Sequence, residues 1–127
     1  MAPPEDPGQL TVARFQRLIA DTFLEKDRRR GLPATFAWLV EEVGEVSRAL
    51  RSGDRATLAE ELSDVLAWAA SVANVSGVDL EAALVAKYGR GCSRCGASPC
   101  ACAEAPAGKG GQSPPPSSSS PASGPLR

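Results

Sequence analysis

The chain has 127 residues, 43% hydrophobic and 23% charged, with a formal net charge of −1. That is room for one small globular domain, and it gives no general grip on nucleic acid or on an anionic membrane. Histidine is absent, which excludes Ser/His/Asp and Cys/His catalysis and any histidine-ligated metal.

At the N-terminus, MAPPEDPGQL has neither the basic start nor the apolar core of a secretory signal. No apolar run approaches the roughly 20 residues of a membrane span. The expectation is a cytoplasmic protein with no membrane or nucleic-acid partner. Residues 1–9 read as a flexible leader. From there Val12, Phe15, Leu18, Ile19 and Phe23 recur at helical spacing behind Thr11, a plausible cap. Arg28, Arg29 and Arg30 before Gly31 suit a helix C-terminus, where cations meet the negative end of the dipole.

A second helix is expected from about Thr35 to Arg51, with an apolar stripe of Phe36, Leu39, Val43, Val46 and Leu50. Ser52-Gly53-Asp54 reads as a stop and restart. The third helix, about Arg55 to Val75, carries Leu58, Leu62, Val65, Ala69 and Val72. Gly77 closes it, and Asp79 caps a short fourth helix, LEAALVAKY. No segment alternates with the period of a strand, so the fold is expected to be all-α. After Tyr88 four cysteines crowd into residues 92–102. Residues 103–127 are rich in Ser, Pro and Gly and are expected to be a disordered tail.

The carboxylates form a pattern. A shift of nineteen positions overlays LVEEVGEV (39–46) on LAEELSDV (58–65). Glu42 and Glu45 are three apart on one helix, as are Glu61 and Asp64 on the next. In an antiparallel hairpin about Gly53, Glu45 and Glu61 each lie eight residues from the pivot, and Glu42 and Asp64 eleven. At about 1.5 Å rise per residue, each pair reaches a common height. Four carboxylates at such a seam must take up protons or hold a cation. Oxygen-only ligands favour a hard ion, Mg²⁺ or Mn²⁺.

These motifs, Glu41-Glu42-x-x-Glu45 followed by Glu61-x-x-Asp64 within WLVEEVGEVSRAL and EELSDVLAWA, resemble the MazG-like all-α nucleoside triphosphate pyrophosphohydrolases. That group is related to all-α dUTPases and dCTPases, and the resemblance spans residues 10–91. It implies a four-helix bundle completed as a homodimer or homotetramer. It also implies Mg²⁺-dependent cleavage of a nucleotide between the α- and β-phosphates. Glu42, Glu45, Glu61 and Asp64 would hold the metal, and Glu41 would orient or deprotonate water or else be an ordinary exposed residue. By loose matches, Asn74, Lys87 and Arg90 would meet the substrate; Lys87 could equally be a solvated cation. Trp38 and Trp68 flank the carboxylates, as core residues or as a stacking surface for a base. Two other readings stand beside this one: a phosphoribosyl-ATP pyrophosphohydrolase-like enzyme, and a non-catalytic helical binding module.

Cys92-x-x-Cys95 and Cys100-x-Cys102 supply enough thiols for one tetrahedral Zn²⁺ in a knuckle over residues 92–102. Free or redox-active thiols and disulfides are the alternatives.

Overall fold

A computed structural model describes residue 6 and residues 8–104. Most of the expected leader and residues 105–127 of the expected tail lie outside the described residues. The chain divides into two compact units, Met1–Ala86 and Lys87–Arg127. Four helices follow in order: α1 (Val12–Arg30), α2 (Leu32–Ser52), α3 (Arg55–Ser76) and α4 (Leu80–Tyr88). Among the described residues every regular element is helical, as expected, and no single helix is long and apolar enough to cross a membrane.

Local chemistry sets the helix ends. Thr11 Oγ1 accepts the Arg14 N–H at 3.1 Å, which opens α1. Gly31 separates α1 from α2, and α2 begins at Leu32 rather than near Thr35. Pro33 stands in its first turn, where the missing N–H has no intrahelical partner to lose. Gly53 adopts φ 72°, a left-handed conformation that side chains disfavour, and its N–H bonds Ala49 O. Asp54 then caps α3 by accepting Ala56 N–H at 3.0 Å and Thr57 N–H at 3.3 Å. Those hydrogen bonds, led by the Thr57 hydroxyl, hold its carboxyl below the ordinary range. Asp79 likewise accepts Ala82 N–H at 2.9 Å at the start of α4.

α3 packs most widely against α2 and next against α1. The Gln16 carboxamide joins three segments. It donates to Asn74 Oδ1 at 3.1 Å and to Val78 O at 2.7 Å, and accepts Leu80 N–H at 2.9 Å.

The expected α2 stripe does not act as one face. Thr35 and Ala49 are buried and Leu39, Glu42, Glu45 and Val46 are half-buried, so the inner face runs through 35, 39, 42, 46 and 49. Phe36, Val43 and Leu50 each lie one residue on from Thr35, Glu42 and Ala49, and are 54%, 53% and 61% exposed. Helical periodicity defines a wide apolar arc, and the chain covers only part of it. Leu62 on α3 and Leu18 and Phe23 on α1 are exposed for the same reason. The buried apolar residues among those described are Ile19, Ala49, Ala70 and Ala73.

Candidate functional site

The hairpin through Gly53 brings acidic residues of α2 and α3 together at mid-helix. Carboxylate oxygens of Glu42, Glu61 and Asp64 all lie within 4.8 Å of one another. Glu42 and Glu61 are half-buried at the seam and Asp64 is exposed at its edge. The Glu61 carboxyl is raised above its ordinary value of 4.5. Partial desolvation is the first cause, followed by the charges of Glu42, Glu45 and Asp64 and a hydrogen bond shared with Glu42.

Register by counting from Gly53 pairs Glu42 with Asp64 and Glu45 with Glu61. The structure adds the diagonal, with Glu61 beside Glu42. Glu45, half-buried, stays near enough to act on Glu61 but turns toward Arg48, whose Nη1 is 3.4 Å away. Glu41 is exposed and stands outside the three-residue group.

Trp38 and Trp68 each lie one helical turn from this group, four residues before Glu42 and four after Asp64. Their rings stack on each other, centroids 5.7 Å apart and 12° from parallel. Trp38 remains 48% exposed.

Arg30 also belongs to this neighbourhood, although the sequence suggests either a solvated helix end or phosphate binding for Arg28, Arg29 and Arg30 and no contact with Trp68. Its guanidinium lies 4.9 Å from the centre of the Trp68 ring, and its Nη1 donates to Asp27 Oδ1 at 2.7 Å. Asp27 is buried, and its second oxygen has no partner among the described residues. The signal was Asp27-x-x-Arg30 at i,i+3, readable only once α1 is known to pack on α3. Phe23, Asp27, Arg30, Trp68 and Ser71 line a cleft of about 240 Å³ between those helices.

Asn74 takes a structural position. Its Oδ1 accepts from Gln16 and its Nδ2 donates to Gln16 O at 3.1 Å, tying α3 to α1. Lys87 and Arg90 fall in the second unit, where Lys87 Nζ lies 5.4 Å from the Tyr88 ring centroid.

In the second unit the four cysteine sulfurs also lie within 4.8 Å of one another. Backbone N–H groups of Cys95 and Arg94, then the neighbouring thiols of Cys100 and Cys95, bring Cys92 down to about 6. Backbone donors of Ala101 and Ala97 lower Cys95. Hydrogen bonding to Cys100, Cys95 and Cys92 pushes Cys102 up to about 12.

A family model described as the MazG nucleotide pyrophosphohydrolase domain matches residues 30–95, just over half of the chain. No curated protein matches it at a significant level. The chain belongs to the MazG family.

Proposed function

We propose that this member of a nucleotide pyrophosphohydrolase family hydrolyses a nucleoside triphosphate between its α- and β-phosphates, giving the monophosphate and pyrophosphate. The convergence of Glu42, Glu61 and Asp64 on the α2–α3 seam carries the reading. Like charges so placed repel unless a proton or a cation reconciles them.

Glu42, Glu45, Glu61 and Asp64 are the proposed ligands of Mg²⁺, with Mn²⁺ as the alternative. Oxygens on one Mg²⁺ are at most about 4.2 Å apart, so Glu42, Glu61 and Asp64, already within 4.8 Å, need only small rotamer changes, while Glu45 has to leave Arg48. When bound, the cation neutralises phosphate charge and lowers the pKa of a coordinated water. Glu41 accepts a proton from the attacking water, whose oxygen bonds the α-phosphorus. The bond from that phosphorus to the bridging oxygen breaks, and its electron pair leaves with pyrophosphate. The Trp38–Trp68 stack offers its exposed surface to the base.

The working form is a homodimer or homotetramer in the cytoplasm. A second copy would cover Phe36, Val40, Val43 and Leu50, which are exposed on α2, and would supply the core that four buried apolar residues do not.

The test incubates purified protein and Mg²⁺ with a panel of nucleoside triphosphates and separates pyrophosphate from orthophosphate by ion chromatography. Monophosphate and pyrophosphate should appear together, and Glu42→Gln or Asp64→Asn should abolish both. Orthophosphate as the product, or no turnover of any nucleotide, refutes the proposal.

A further inference from the structure

We infer that Cys92, Cys95, Cys100 and Cys102 form a closed, structural site for one Zn²⁺, separate in its chemistry from the carboxylates. Cys92 Sγ lies 3.9 Å from Cys102 Sγ and 3.4 Å from Cys100 Sγ, and Cys95 Sγ lies 4.0 Å from Cys100 Sγ. Four sulfurs at about 2.3 Å from a tetrahedral Zn²⁺ are about 3.8 Å apart. A disulfide needs about 2.05 Å and one partner for each sulfur. Here Cys92 and Cys100 each face two others, which is the arrangement of a tetrahedron and not of two pairs.

The backbone supplies a second, independent observation. Arg94 N–H points at Cys92 Sγ at 3.4 Å, Ala101 N–H at Cys95 Sγ at 3.3 Å, and Cys102 N–H at Cys100 Sγ at 3.4 Å. Four thiolates around one divalent ion leave a net charge of about −2, and N–H donors aimed at sulfur compensate it.

The turn that gathers the sulfurs depends on glycine. Cys92 N–H bonds Ala97 O at 3.0 Å and Gly96 N–H bonds Cys92 O at 2.8 Å, so the chain doubles back on itself. Gly91 has φ 112°, and a Cβ there would meet Ala97 O at 2.7 Å. Only glycine permits that approach.

Finally, residues 89–104 contain no apolar side chain larger than proline, apart from the cysteines themselves. Burial cannot hold so polar a loop together, and a metal can. Thiolate ligands in a tetrahedral frame select Zn²⁺ over the hard cations of the acidic seam. Four protein ligands leave no open position, so the ion organises the loop and takes no part in hydrolysis.

The experiment uses the full chain, purified from zinc-replete cells. Native mass spectrometry should show one zinc per chain, and Co²⁺ added to the apo-protein should give the visible bands of a tetrathiolate centre. Cys95→Ser and Cys100→Ser should each abolish those bands while helical circular dichroism is retained. Glu61→Gln should leave them intact, which separates this site from the carboxylates whether or not the chain hydrolyses nucleotides. Gly91→Ala, with all four thiols present, should weaken zinc binding about tenfold; an unchanged affinity overturns the part given to the turn. A metal-free chain with four alkylatable thiols and no cobalt bands overturns the site. So does a mass four hydrogens light, the signature of two disulfides.

Discussion

Replacing Glu61 by glutamine should stabilise the metal-free protein at neutral pH and at the same time weaken its response to Mg²⁺. The reason is the position of Glu61 at the centre of the acidic group, with oxygens of Glu42 and Asp64 inside 4.8 Å. That is shorter than the Debye length of about 8 Å at physiological salt, so mobile ions leave the repulsion largely in place. Desolvation and the neighbouring charges raise the Glu61 pKa above 4.5, so the folded chain keeps this proton to higher pH than the unfolded chain. The resulting stability is fully present below the ordinary value and is lost as pH rises through the folded one. Above that range and without metal, the crowded Glu61 carboxyl therefore opposes folding, and glutamine does not. In chelator, Glu61→Gln should melt above wild type at pH 7, with the gap closing toward pH 4. Divalent metal reverses the order. At ten times its Kd, linkage to the native state contributes about 1.4 kcal/mol, a rise of roughly 6–11 °C for a domain of this size. The variant lacks a ligand and should show a small fraction of that rise. Circular dichroism melts across pH, with chelator or with Mg²⁺, read both effects. A variant that melts lower than wild type in chelator at pH 7, or gains as much from Mg²⁺, refutes the reasoning.

Glu41→Gln should lower kcat by about 10²–10⁴-fold, as loss of a general base does, while keeping the full Mg²⁺-induced rise in Tm; near-normal turnover would remove Glu41 from the mechanism. Trp68→Ala removes a stacking surface worth about 1–3 kcal/mol per base, so kcat/KM should fall roughly 5- to 150-fold with pyrophosphate still the product. Arg30→Met leaves the buried Asp27 carboxylate without its ion-pair partner and should cost about 1–3 kcal/mol in urea denaturation; an unchanged midpoint would show that the pair contributes nothing. Val43→Glu places a charge in the exposed apolar row of α2 and should reduce the particle mass seen by light scattering, whereas a subunit monomeric from the outset would not change.

Features that depend on a few consecutive residues were legible in the sequence. Thr11 and Asp54 as caps, Gly53 as the hinge and Asp79 at the start of α4 are set within one turn of chain, and the structure places them so. The facing of Glu42 and Asp64 was legible for a different reason, whereas the diagonal approach of Glu61 to Glu42 and the turn of Glu45 toward Arg48 were not. Once two helices fold back about a known pivot, equal residue counts mean equal heights. Position around the helix axis was less accessible. The sequence does not say which part of an apolar arc meets its own chain, and its periodicity puts Phe36, Val43 and Leu50 in one stripe with Leu39 and Val46. The Asp27–Arg30–Trp68 arrangement was hidden because it joins residues about forty positions apart, through α1–α3 packing that no local spacing encodes.

The seam that gathers the carboxylates also gives up apolar packing between α2 and α3. In a stable helix pair, seven-residue repeats at the interface carry leucine, isoleucine or valine. Here one inner repeat of α2 is Thr35, Glu42 and Ala49, a hydroxyl, a carboxylate and a methyl, and the other, half-buried, is Leu39 and Val46. Large side chains occur one residue on from the first repeat, about 100° round the helix, where they are exposed. Rotating α2 by that one residue would bury Phe36, Val43 and Leu50 against α3 and turn Glu42 outward. Leu39 and Val46 would turn with it, and the acidic group would be dispersed. An outward apolar row and an inward carboxylate row are thus one choice of register seen from two sides. Keeping this register holds the carboxylates together at the seam and leaves Phe36, Val43 and Leu50 exposed about 100° round the helix.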